Sequence, residues 1–580
     1  MKRNVLTITL ALVVSLWSVE RAWSVLRCVN PLSLLCFSTI QAAVNASSSG
    51  DVIIVSPHPD IRGYRENVVI DTPNITIRGS GLPVLDPSKL DCRKVIVDGC
   101  QTAVNPTDCA YDVMGGADGF VINADGVSIK NLTIRHFFDA VEINANSATI
   151  ENVCFIQNFT GVNSDTGSNR NNIRVIRNLF RGNDFFPVNI RGDDATVSQN
   201  LMERNDNILI SGDGADILNN IIRTTNDGGC IVIFGNNSLI TGNTLEACAN
   251  ECIRFIGDQD NNTMSFNKLT NCGRDGIDLG ISGSENNKIL SNTIKGTQQD
   301  GITINGNNNR IESNVIDAVR DEGIESDGDS NRIALNIIRH VLDFDSGIDY
   351  SGLNPDIFRN TVFSVNGNPG IDVFCHDGSD DASTCTGGKI EGNTVQFVFD
   401  DDEGMEIDGF NLRVTDNVIK DTSQDGIRFN GDFATIYHNM VERVGTEGNF
   451  EPGINIFGNN NMITENTARF NLFAGIRNAV GDNNTYRGNI SEQNGKSGIR
   501  IADGMDNIVD RNRTLNNHGE GINNDDTATS TDVTNNTSLG NRTDICNGDA
   551  NTSTPGGIGV FSGNIFITGG TSTFCVVEQF

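Results

Sequence analysis

Aromatic side chains are scarce in this 580-residue chain, at 6% of positions, with two Trp and five Tyr. A compact core of such length leans on large rings, so apolar contacts here must come from smaller, more numerous groups. His is rare, at six, and no His or Cys spacing matches a zinc or copper site. Basic residues number 42 against 74 acidic ones, a formal net charge of −32. That surface repels nucleic acid and anionic membranes, and argues against both as partners. Long apolar runs are missing but for Val5 to Trp17, which follows Lys2 and Arg3. The run is too short to span a bilayer comfortably and reads as an export signal over residues 1–24. "AWS", Ala22 to Ser24, offers a small-x-small cleavage site, so the expected mature chain begins near Val25, without a membrane span, and is extracellular or periplasmic.

What the chain has in quantity is repetition. "DGITINGNNNRIESNVI", Asp300 to Ile316, is echoed on both sides by "DGIDLGISGSENNKILSNTI" from Asp275 and "EGIESDGDSNRIALNII" from Glu322. Seventeen Asn marks run from Asn152 to Asn536, about 24 residues apart. Around each, apolar and polar residues alternate in runs of three to five, broken by Gly and Asn, as short strands do. Such a unit cannot bury its own apolar face, but stacked copies can. The spacing predicts an all-β, single-stranded, right-handed parallel β-helix of 17 or more coils, with strands of successive coils about 4.8 Å apart. The recurring Asn suits a bend with left-handed backbone, its amide bonding its counterparts above and below. The Gly before each Ile suits close approach of another backbone.

The phrase G-I-x-I-x-G-x-x-N-x-I-x-x-N-x-I resembles the parallel β-helix repeat family of the pectin-lyase-like superfamily. The segment Ser38 to Gly81 is similar to that family's beginning, implying a cap helix over Thr39 to Ala46 and a first strand at "GDVIIVS". The resulting organisation is a cap with its first coils over 25–120, the helix proper over 121–540, and a Thr-, Gly- and Ser-rich cap over 541–580. The fold implied hosts lyases, hydrolases, epimerases, adhesins and proteins without activity. Enzyme signatures of the superfamily are fragmentary: "GDD" at Gly192 to Asp194 and "HG" at His518-Gly519 stand apart, and "RIK" is absent.

All 14 Cys follow the signal, and in an exported chain disulfides are expected. Equal offsets in adjacent coils predict Cys230–Cys252 and Cys248–Cys272. Cys375–Cys385 brackets a loop that stretches one repeat, Cys28–Cys36 pins the first cap, and Cys546–Cys575 the last. Cys92, Cys100, Cys109 and Cys154 receive no partner.

In the strand G-I-x-I, x points outward. Read coil by coil it gives Arg254, Asp278, Thr303, Glu325, Asp349, Asp372, Glu406, Arg428, Asn455, Arg477 and Arg500. The residue before each Gly adds Asp275, Asp300, Glu322, Glu403 and Asp425. Like charges about 4.8 Å apart repel unless a cation, a ligand or a shared proton intervenes. Three readings follow. The stripe is a solvated face of a protein that binds extracellular glycan or serves a surface-structural role. Alternatively it holds calcium, through Asp278, Asp300, Glu322 and Glu403. Or it is the cleft of a glycan lyase, hydrolase or epimerase, with Asp349, Asp372, Glu325 and the loop residue His376 moving protons. In that case Arg428, Glu406 and Asp377 bind substrate.

Overall fold

The computed structural model describes residues 24–566, apart from 82–85, 91, 101–116, 165–168, 281–282, 376–384, 386, 446–450, 526 and 548–557. Strands of three to six residues dominate, and each pairs in parallel with its counterparts one repeat away. Each coil contributes three strands, one to each of three faces that run the length of the molecule, here A, B and C in chain order. In one coil these are Arg310–Glu312 on face A, Val315–Val319 on B and Ile324–Asp327 on C. The register never slips through the middle: Ile311 meets Ile333, Ile316 meets Ile338 and Ile324 meets Ile348. About 21 turns stack in this way.

One continuous core fills the solenoid, made mostly of Ile and Val with no exposed surface. This is how the chain manages with few rings: a β-branched side chain on every inward position packs against its copies above and below. Glycine is required where Gly323 opens its strand, since a Cβ there would lie 2.4 Å from the Gly347 carbonyl oxygen and 2.5 Å from Ile338 Cγ2.

The Asn marks line the bend between faces A and B from Asn178 to Asn536, and Asn564 extends the series. They differ from expectation in one respect. The left-handed residue is the one before the mark, such as Ser313 (φ 59°) before Asn314. Asn152 is itself left-handed (φ 55°), and Val153 holds the mark's place in that coil. A buried Asn ladder needs its side chain pointing inward, so the sharp turn falls to its neighbour.

At the N-terminal end a helix, Ile40–Asn45, is capped by the Thr39 side chain accepting from the Ala42 amide. The first strand is Leu26–Val29, not "GDVIIVS": the former pairs with Val52–Val55 in register.

Disulfides Cys28–Cys36 and Cys375–Cys385 are present, and Cys92 bonds Cys154. Cys546 is also disulfide-bonded, while Cys575 lies outside the described residues. The two central pairs are not the expected ones. Cys230 bonds Cys248 and Cys252 bonds Cys272. The reason is visible in coils without cysteine. A Cβ on Gly370 would lie 3.2 Å from Val398, and one on Gly347 3.3 Å from Val365. The residue five past each Asn mark therefore faces the Gly position of the preceding coil across the B–C bend. Cysteines at those two positions meet diagonally, and the same-offset pairing loses to this closer contact.

Candidate functional site

Face C carries the outward column. Its register runs unbroken from Arg254 through Asp278, Thr303, Glu325, Asp349 and Asp372 to Glu406 and Arg428. Asn455, Arg477 and Arg500 continue it. Alternation in each short strand fixes this: Ile348 and Tyr350 are buried, while Asp349 between them turns outward and stays partly covered.

Two stretches differ in how their charges are met. At the end towards the C-terminus, Arg428 donates through Nη1 to Glu403 Oε1 at 3.1 Å, and its Nε lies 3.5 Å from Glu406 Oε1. The Phe457 ring sits 5.4 Å from the same guanidinium. In the centre, by contrast, Glu325, Asp349 and Asp372 have no hydrogen-bond or ion-pair partner among the described residues. Burial, joined by neighbouring carboxylates, pushes Glu325 up to about 7, Asp349 to about 6 and Asp372 to about 7.

Just beneath, Asp300 is pushed to about 8 by burial and by the neighbouring Glu322 carboxyl group. Its Oδ1 accepts the Glu322 amide at 2.9 Å and its Oδ2 the Thr303 hydroxyl at 2.9 Å. Asp275, pushed to about 7 chiefly by burial, accepts the Asp300 amide at 3.2 Å. Face C thus holds a run of carboxyl groups able to give or take a proton near neutral pH.

The one triad of carboxylates among the described residues with oxygens close enough to share a metal ion is Glu251, Asp275 and Asp278, all within 4.8 Å of one another. Of the four expected calcium ligands it includes Asp278 alone. Asp300 accepts the Glu322 amide, and Glu403, several coils from the triad, is engaged by Arg428. Sequence reading missed Glu251, although the signal was there: it precedes Cys252, which takes the place of the repeat's Gly. Arg274 and Arg254 already face this triad, with Arg274 Nη1 at 3.1 Å from Glu251 Oε1 and Arg254 Nε at 3.5 Å from Asp278 Oδ2. Asp345 and Asp402, pushed to about 6 and about 7 mainly by burial, were also missed. They precede the repeat phrase and break no pattern.

His376 and Asp377 lie outside the described residues. A shallow concavity opens at the bend between faces C and A, lined by Asn354, Pro355, Lys389 and Arg413. It contains none of the stripe carboxylates, so the chemistry is to be sought on face C.

A family profile described as "Right handed beta helix region" matches residues 118–269, 188–304, 279–445 and 380–538. The chain belongs to that family. The matches together cover most of the described coils, which makes the handedness of this solenoid right-handed. No curated protein matches the sequence. Solved structures similar to this right-handed β-helix include the alginate lyase AlyGC, of polysaccharide lyase family 6. It is 11% identical over 91% of this chain and 98% of its own, with a TM-score of 0.32. The pectate lyase Pel9A is 14% identical over 62% and 79%, with a TM-score of 0.23. The periplasmic alginate epimerase AlgG is 11% identical over 68% and 77%, with a TM-score of 0.24. Likeness at this level carries nothing about activity. No helix among the described residues is long and apolar enough to cross a membrane.

Proposed function

We propose that this β-helix is an exported carbohydrate-active enzyme that cleaves a polysaccharide lying along face C. The observation behind this reading is the run Glu325, Asp349, Asp372: three adjacent carboxyl groups, unpartnered and raised towards neutrality. An isolated solvated face would leave its carboxylates near their ordinary values. A general acid needs its proton at working pH, and its partner needs to have lost one. Asp372, raised to about 7, suits the acid that protonates the glycosidic oxygen. Asp349, raised to about 6, is the more ionised of the two and suits the base or nucleophile. They stand on adjacent strands, which parallel sheets space about 4.8 Å apart. That is near the roughly 5–5.5 Å of retaining glycosidases. Glu325, two strands from Asp372, approaches the roughly 6.5–9.5 Å separation that leaves room for an attacking water. Arg428 and Glu406 would hold the polymer further along the column.

Arg428, held between Glu403 and Glu406 with the Phe457 ring beside its guanidinium, favours a second reading, in which face C binds glycan without cleaving it. Incubation with a panel of neutral and uronate polysaccharides separates the two, following reducing ends and the absorbance of unsaturated products. Asp349→Asn and Asp372→Asn should each lower turnover by roughly 10²–10⁴-fold while leaving the melting temperature undiminished. Turnover that survives both substitutions would sink the catalytic reading. Binding without turnover in the wild type would leave the second.

A further inference from the structure

Towards the N-terminus, far from Arg428, Arg477 and Arg500, the first coil carries a short loop. Cys28 and Cys36 close it, and the backbone is bonded across its neck, Asn30 N to Phe37 O and Phe37 N to Cys28 O, both 2.9 Å. Inside, the Asn30 side chain accepts the Leu32 amide at 3.0 Å and Ser33 O accepts the Cys36 amide at 3.2 Å. The structure is fixed, and it presents leucines to solvent: Leu32 is 78% exposed, Leu35 94% and Leu34 fully. The next loop up the rod, following the strand paired to the first, exposes Ile61 at 84%. Single exposed apolar residues are ordinary, but three on one clamped loop are not.

Charge distribution narrows the choice of partner. In a chain that is 20% charged, no charged residue occurs from Cys28 to Gly50. The flanking Arg27 and Asp51 neutralise each other at 2.8 Å. The loop is exposed, aliphatic and uncharged, without the aromatic or arginine anchors on which protein interfaces depend. Hydrocarbon accepts such a tip from any direction and asks for no matching polar group.

We propose that the Leu32–Leu35 loop is a membrane-surface contact that inserts its leucines among lipid tails, standing the rod end-on to a zwitterionic bilayer. Two features set its character. Because the loop is already ordered, insertion loses little conformational freedom. Because three leucines amount to a short acyl chain, attachment is reversible, as with a single lipid anchor. The net charge of −32 weakens it on anionic lipid.

The test is co-sedimentation of the mature chain, from Val25 onward, with phosphatidylcholine vesicles, beside the double variant Leu34→Asp, Leu35→Asp and the milder Leu34→Ser, Leu35→Ser. Thermal melts establish that all three are equally folded. The three proteins differ only at residues 34 and 35, so any difference reads the loop. The expected result is a vesicle-bound wild type, with binding weakened roughly tenfold for each leucine replaced, and less binding when phosphatidylserine is added. Equal sedimentation of wild type and variants overturns the proposal, as does a wild type that stays in the supernatant. A loop-dependent dimer on gel filtration without vesicle binding also overturns it, by showing a second copy to be the occupant.

Discussion

Asn314 donates twice to one atom of Asn336: its backbone N–H reaches Asn336 Oδ1 at 2.9 Å and its Nδ2 reaches the same oxygen at 3.0 Å. Asn336 passes the arrangement on to Asn360, and its own Nδ2 also donates to Ile311 O at 2.9 Å. Each mark therefore settles a backbone amide, a backbone carbonyl and a neighbouring side chain at the bend between faces A and B, all out of contact with water.

Asn336→Ala should accordingly be among the more damaging single changes in the coils. It orphans the Asn314 amide and leaves the Asn314 and Asn360 side chains each short of a partner. At about 1–3 kcal/mol for each buried group left unpaired, the loss is on the order of 3 kcal/mol or more. Denaturant unfolding of the variant measures it, and a loss under about 1 kcal/mol would mean the ladder adds little.

The diagonal disulfides give a chemical prediction. A non-reducing peptide map should yield Cys230 linked to Cys248 and Cys252 linked to Cys272, with no Cys230–Cys252 species. Replacing Cys230 and Cys248 together by Ala opens a loop with a sequence separation of 18, a change of about 3 kcal/mol in the chain-entropy picture.

Stability should fall as pH rises through neutrality. Asp275, Asp300, Glu325 and Asp372 are raised to between about 7 and about 8, against ordinary values of 3.8 to 4.5. Between the two ranges the folded state holds protons that the unfolded chain has released, so lowering pH stabilises the fold. Their contribution is present near pH 5 and disappears as pH passes through about 7 to 8. Melting curves from pH 5 to 9 should show the highest transition at the acidic end. The reverse trend would mean these groups are ionised in the native protein.

Calcium offers a separate check on face C. If the Glu251, Asp275, Asp278 triad holds the ion, millimolar calcium should raise the melting temperature, chelator should reverse the shift, and Asp278→Asn should abolish it. Binding would be weak, since Arg254 and Arg274 compete for the same oxygens. No shift at any calcium concentration leaves the triad to its arginines.

The coil was legible because its period is repeated so often that chance cannot imitate it. The outward column followed, since a single register error would have turned Asp349 inward and Ile348 to solvent. Contacts that cross between slots were not legible. The link from Cys230 to Cys248 depends on how tightly the B–C bend folds, and spacing alone favours the vertical neighbour. The backbone sign at each bend was misassigned for a similar reason: Asn tolerates left-handed geometry, but here its side chain is worth more inside. Glu251 escaped because a cysteine stood where the Gly cue was expected. The protonation of the stripe could not be read at all, as it arises from burial that appears only once the coils are stacked.

A rung height set by backbone hydrogen bonding leaves no room for adjustment by side-chain choice. Groups on face C can be exchanged, but their separations come only in whole steps, like the graduations of a ruler. Evolution of this surface then proceeds by changing what is inscribed at each mark, or by inserting and deleting entire marks, and a polymer with a commensurate period could be gripped at many points at once.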